Sequence, residues 1–195
     1  MDNFCRRFHG GDSGAPKVVP YTFDDVVRTL NDVAPYDWVT LLKERVNLTS
    51  THAPLGGIEK GGWKLVYNDK PNSFVSALEK KGKFALLTDS IGVSIGKEGE
   101  LEDVIHGSPA FAAGLGPGMK VIAVNGRKYS IDILREAIKS AHDTHRTIEL
   151  IAEASQSYKT YSIIYYDGEK IPHLERVEGQ PDILGNILTP KTGAN

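Results

Sequence analysis

The chain has 195 residues, 40% apolar and 25% charged, with a formal net charge of −2 at neutral pH. That is enough apolar material for a packed core, and the near-neutral balance provides no basic stripe, so no nucleic-acid partner is expected. Its single cysteine, Cys5, excludes an internal disulfide and a Cys-cluster zinc site, and no apolar run approaches the ~20 residues of a membrane span. A soluble protein is expected, with no apolar signal core in its first residues to direct export and with its compartment left open.

Taken in chain order, Phe4, Cys5 and Phe8 share one helical face, and the chain then breaks at His9-Gly10-Gly11-Asp12-Ser13-Gly14-Ala15-Pro16. This stretch contains Gly-Asp-Ser-Gly, the tetrad around the nucleophilic serine of chymotrypsin-like proteases. Those enzymes place two barrels carrying the histidine and aspartate before that serine, whereas Ser13 follows almost immediately on the start of this sequence, so a surface loop is expected. Thr22 to Asp25 forms a variant capping box ahead of Phe23, Val26, Val27 and Leu30 at helical spacing. Asp37 is placed to cap a second helix with Trp38, Leu41, Leu42 and Val46 on one stripe. Residues 1–50 hold too little apolar surface for a core of their own and read as the helical C-terminal end of a larger domain.

Residues 51–83 read as a structured connector. Trp63, Leu65 and Tyr67 alternate as in a strand, and Phe74, Ala77 and Leu78 mark a short helical stripe. A first strand is expected over Phe84 to Leu87, followed by Asp89 to Ile95 with apolar residues at 91, 93 and 95. Leu101 to Ile105 is another strand, Ser108-Pro109 opens a short helix, and Met119 to Val124 runs into an Asn125-Gly126 turn. Ser130 caps a longer helix with Ile131, Leu134, Ala137, Ile138 and Ala141 at helical spacing. Thr147–Ala152 and Tyr158–Tyr166 make a hairpin, and residues 167–195 read as an extended tail that frays at its end.

The order Ser90-Ile91-Gly92-Val93, then Gly107-Ser108-Pro109-Ala110-Phe111-Ala112-Ala113-Gly114-Leu115, then Pro117 to Gly126, resembles a PDZ domain of the kind attached to bacterial proteases. The resemblance covers residues 84–166 and implies an α+β fold, a PDZ-like, partly open β-barrel with two helices. It also implies a peptide or protein C-terminus, or an extended peptide segment, as partner, adding as a strand to an open sheet edge. The donors would be the amides of Ile91, Gly92 and Val93. The candidate groove is then Ser90, Ile91, Gly92, Val93, Ser94 and Ile95 with Ile131, Arg135 and Ile138 of the facing helix; a register slipped by one would put Asp132 in the place of Ile131. Ser90 stands where the family has its first glycine and Asp89 adds a negative charge, both of which weaken a carboxylate site.

Phe4-Cys5-Arg6-Arg7-Phe8-His9-Gly10-Gly11, Pro20 to Asp25, Tyr36-Asp37-Trp38 and Gly57-Ile58-Glu59-Lys60-Gly61-Gly62-Trp63 ahead of that unit look like the C-terminal part of glycyl-aminopeptidase-type zinc metallopeptidases. In that family a thermolysin-like catalytic domain precedes the PDZ unit, and zinc is held by a His-Glu-x-x-His helix and a downstream glutamate. No such motif occurs here. The resemblance therefore implies a non-catalytic fragment of a zinc-dependent aminopeptidase, with no cofactor of its own and the catalytic domain as its partner. It would position peptide substrate or cap that domain; the alternative is an independent adaptor for free peptide C-termini. His142 and His145 are three apart on one helix, but Asp143 points away from them and no metal site is expected.

Overall fold

A computed structural model describes residues 2–8, 14–15, 18–49 and 53–190, so Ser13 lies outside the described residues. The chain divides into two compact units, residues 1–54 and 55–195.

The first unit contains α1 (Asp2–Phe8), α2 (Phe23–Val33) and α3 (Trp38–Asn47). The capping box at Thr22 forms in full: the Thr22 amide donates to Asp25 Oδ2 at 2.9 Å and the Asp25 amide to Thr22 Oγ1 at 3.2 Å. Asp37 caps α3 by accepting from the Thr40 amide. The Phe4 and Phe8 rings stack, Tyr21 meets Phe8 edge-on, and the Trp38 indole donates to the Ala34 carbonyl. Among the described residues of this unit Val27 alone is buried, while Val39, Val46 and Leu48 are exposed. Local signals form the helices, but the described residues of this unit enclose no core.

The second unit opens with α4 (Gly56–Lys60), β1 (Trp63–Asn68) and α5 (Ser73–Gly82). Next come β2 (Phe84–Leu87), β3 (Val93–Gly96), β4 (Leu101–Val104) and α6 (Pro109–Ala112). Then follow β5 (Lys120–Val124), β6 (Arg127–Lys128), α7 (Ile131–Thr144), β7 (Ile148–Ala154) and β8 (Ser157–Ile163). The strands form an antiparallel sheet in the order β2-β3-β4 and a second in the order β6-β5-β7-β8. Ser108 and Ser130 cap α6 and α7 as their positions require, and Asn125 and Gly126 both take positive φ in the turn between β5 and β6.

The inward residues of both sheets and the Leu134, Ala137, Ile138, Ala141 face of α7 share one core, in which Leu87, Ile91, Ile95, Leu134, Ile138, Ile148, Leu150 and Ile163 are fully buried. Truncating any of these large residues to alanine costs about 2–5 kcal/mol.

The architecture is mixed α and β; a partly open barrel was expected, and the sheets do not close into a barrel. Outside the paired strands they are joined by the single bridge Glu100–Lys120 and neighbouring backbone bonds such as Leu101 N–H to the Met119 carbonyl. Closure fails because β2 is an outer strand of the first sheet and its outward amide at Leu86 is taken by the Glu79 carboxylate, not by another strand.

Residues 167–190 also differ from the extended tail expected over 167–195. They contain β9 (Ile171–Arg176), which pairs antiparallel with β1 from Trp63↔Arg176 to Asn68↔Ile171, and α8 (Ile183–Leu188). A two-stranded ribbon is marginal alone, and side chains fasten this one. The Trp63 indole donates to Asp182 Oδ1 at 2.8 Å, Asp182 also caps α8, and Arg176 lies over the Trp63 ring while donating to the Gly62 and Gln180 carbonyls. Gly62 has φ +82°, and any Cβ there would lie 2.2 Å from the Pro181 carbonyl oxygen, so the glycine permits the close return of the tail.

The indole hydrogen bond, then the Gly185 amide, hold the Asp182 carboxyl below the usual carboxylate range. A lowered native pKa contributes stability that is complete above the unfolded value, about 3.9, and disappears as pH falls through the native value. In a Trp38→Phe background, Trp63 fluorescence is therefore expected to shift towards that of exposed indole on acidification below about pH 4. The same shift is expected at neutral pH in Asp182→Ala; a Trp63 signal indifferent to both would refute the clasp.

Candidate functional site

The candidate groove residues meet around β3. Ile91, Val93, Ile95 and Ile138 belong to the buried core, Ile131 packs against it, and Ser90 and Ser94 are only 6% and 9% exposed. The alternation at 91, 93 and 95 turns these three side chains inward, as a half-buried strand requires.

The open sheet edge implied by the resemblance is absent. β3 is paired on both sides, with β4 on one and β2 on the other, in the register Phe84↔Gly96, Ala85↔Ile95, Leu86↔Ser94 and Leu87↔Val93. Of the expected donor amides that of Gly92 is committed, together with the amide of Ser90. The Leu87 carbonyl accepts from the Ser90 amide at 3.2 Å and from the Gly92 amide at 2.9 Å. The Ile91 and Gly92 carbonyls in turn accept from the Ala110 and Ile105 amides. Gly92 has φ +85°, and a Cβ on it would stand 2.1 Å from Ser108 Cβ, so this turn excludes every side chain on two counts.

Arg135 does not face a free groove either. Its Nη2 donates to Glu79 Oε1 at 2.7 Å, and its Nη1 forms an ion pair with Glu169. Glu79 Oε1 also accepts from the Leu86 amide at 2.8 Å, so one carboxylate joins α5, β2 and α7. A cavity of about 240 Å³ lies beyond the outer side of β2, with Val75, Glu79, Leu86, Asp89, Arg135 and Ile171 among its lining residues.

Beside the turn, Ser90 Oγ accepts from the Lys170 amide at 3.0 Å. Ser90 and Lys170 are not a nucleophile and base. The Lys170 ammonium donates to Asp167 at 2.6 Å, and that bond, ahead of opposing desolvation, raises its pKa and keeps the proton on nitrogen. Desolvation raises the Asp89 carboxyl and the Tyr165 phenol above their ordinary values. A carboxylate beside the turn disfavours a second anion there.

His142 and His145 each have a neighbour of their own on Tyr166. His142 Nδ1–H donates to the Tyr166 carbonyl at 2.7 Å, and the His145 ring lies 5.4 Å from the Tyr166 ring. Among the described residues no group of three or more His, Cys, Asp or Glu is placed to hold a metal ion.

Glu79, Glu169 and Lys170 are the participants that sequence reasoning missed. None stands at a telling spacing: Glu79 is one charge on a helix with lysines around it, and Glu169 and Lys170 reach the site only because the tail returns to it.

Fold and site thus define an α+β protein in whose second unit the candidate groove strand β3 is paired on both sides by its own chain. The sequence matches no protein-family profile and no curated protein. Its fold is similar to the crystal structure of an aminopeptidase N family protein from Idiomarina loihiensis, at 19% identity and a TM-score of 0.53, covering 87% of this chain and 29% of that one. The chain therefore spans under a third of the length of that relative. A comparison with the HtrA3 PDZ domain bound to a phage-derived ligand (FGRWV) gives 18% identity over 60% of this chain and 96% of that one. Its TM-score of 0.29 is too low to equate the two folds.

Two glycines of similar backbone test the turn. Gly107 has φ +78° with nothing within 4 Å of a Cβ, so Gly107→Ala should cost about 1 kcal/mol. Gly92→Ala adds a clash to the same strain and should cost about 3 kcal/mol or more. Urea unfolding of both variants checks this, and equal losses would contradict the crowding at Gly92.

Proposed function

We propose that this chain is the non-catalytic C-terminal portion of a zinc-dependent aminopeptidase, and that its PDZ-like unit serves as a structural cap on, or a positioning surface beside, the catalytic domain. The observation that carries this reading is the fold similarity over 87% of this chain to 29% of a much longer aminopeptidase N family protein. Two features support it. The first unit forms capped, amphipathic helices without a core, as a trailing piece of a larger domain would. The His-Glu-x-x-His ligand helix is absent from the sequence, so zinc belongs to the parent enzyme and this portion supplies no hydrolytic group of its own.

An independent adaptor for free C-termini is the weaker reading. It needs an open strand edge and unoccupied turn amides, whereas β3 is paired on both edges and the Gly92 amide is bonded to Leu87.

Assay of the purified chain against glycyl- and alanyl-p-nitroanilide, with and without added zinc, is expected to give no turnover above buffer. Chelator-sensitive hydrolysis would overturn the non-catalytic assignment. The reading frame preceding Met1 at the source locus is expected to continue into a His-Glu-x-x-His helix; a frame without one would overturn the parent-enzyme reading.

A further inference from the structure

We propose that β2 is an internal ligand: segment 84–87 occupies in cis a site for an extended chain end, and the site accepts another chain only when β2 leaves it. This goes beyond the accessory-module reading and stands or falls separately, since no part of it requires a catalytic domain.

The geometry is that of a docked peptide. Four residues pair antiparallel with β3, and alternate side chains divide between inside and outside: Ala85 and Leu87 are fully buried, whereas Phe84 and Leu86 are not. A site filled in this way selects a small residue, a free position and then an apolar residue at the end.

The end of the strand is also treated as a terminus. Two turn amides, those of Ser90 and Gly92, converge on the single carbonyl oxygen of Leu87, an arrangement suited to the oxygen of a chain end. Gly92 makes the convergence possible through its positive φ and its close approach to Ser108.

The outer side of β2 has no strand beside it. The segment is held there by side chains: Glu79 accepts from the Leu86 amide and is itself held by Arg135 of α7. A single carboxylate closes that side, and the rest of the hold on the segment is its pairing with β3 and the burial of Ala85 and Leu87.

The probe is fluorescein-labelled Lys-Phe-Ala-Leu-Leu with an amidated C-terminus, which reproduces the neutral Leu87 carbonyl. It is titrated by fluorescence polarisation against three full-length proteins: the wild-type chain, Glu79→Ala, and a quadruple variant with Phe84→Gly, Ala85→Ser, Leu86→Gly and Leu87→Ser. If β2 is detached in about 1% of wild-type molecules, apparent affinity there is reduced about 100-fold relative to a vacant groove. The quadruple variant is expected to bind with that advantage and to gain melting temperature with peptide, and Glu79→Ala to fall between the two.

A disulfide lock provides the control. In a Cys5→Ser, Glu79→Ala background, Leu86→Cys with Ser94→Cys joins a directly opposed pair whose Leu86 amide points outward, the pair type whose side chains lie closest. Oxidation should abolish peptide binding and reduction should restore it. Equal binding by wild type and the quadruple variant, binding that survives the oxidised lock, or absence of binding to both Glu79→Ala and the quadruple variant overturns the proposal.

Discussion

The antiparallel pairing of β2 with β3, closed at its end by the Leu87 carbonyl, is the constraint on which the second unit depends. It places Ala85 and Leu87 in the core and commits the turn amides at Ser90 and Gly92. It also removes the free edge on which strand-addition binding would rely. Because side chains alternate with period 2, a one-residue slip would turn Leu87 outward and bring Leu86 in. The turn resists such a slip, since Gly92 can be neither moved out of its conformation nor replaced without meeting Ser108.

The groups around this pairing form a consistent electrostatic arrangement. Arg135 faces two carboxylates, Glu79 and Glu169, and its side chain is only 24% exposed. A guanidinium so placed needs both partners, and removing it would leave two desolvated carboxylates close together. The arrangement links α5, α7 and the start of the returning tail, and through the Glu79 carboxylate Arg135 helps to hold β2.

Legibility in the sequence followed the range of each interaction. The caps at Thr22, Asp37, Ser108 and Ser130 were readable because each is a contact within three residues. The alternation at 91, 93 and 95 and the 134, 137, 138, 141 stripe identified core faces because periodicity reports burial directly. The β1–β9 ribbon was not readable. Its strands are about a hundred residues apart, Pro172 weakens the strand signal, and the fastening contact joins Trp63 to Asp182. Filling of the groove was hidden for another reason: Phe84 to Leu87 was visible as a strand, but nothing in its composition says which neighbour it takes.

That last point bears on what a recognisable loop can imply. Ser90-Ile91-Gly92-Val93 specifies a turn, in which the structure brings the amides of Ser90 and Gly92 onto one oxygen. It does not specify whose oxygen the amides receive. Here the acceptor is Leu87, three residues upstream of Ser90 and five of Gly92, so the loop closes on its own chain before any partner arrives. An intramolecular acceptor is present at high effective concentration, and an outside peptide must compete with a strand that cannot diffuse away. The same turn chemistry therefore supports either a receptor or a sealed structural module, and the deciding residues are Glu79, Arg135 and Leu87, all outside the motif.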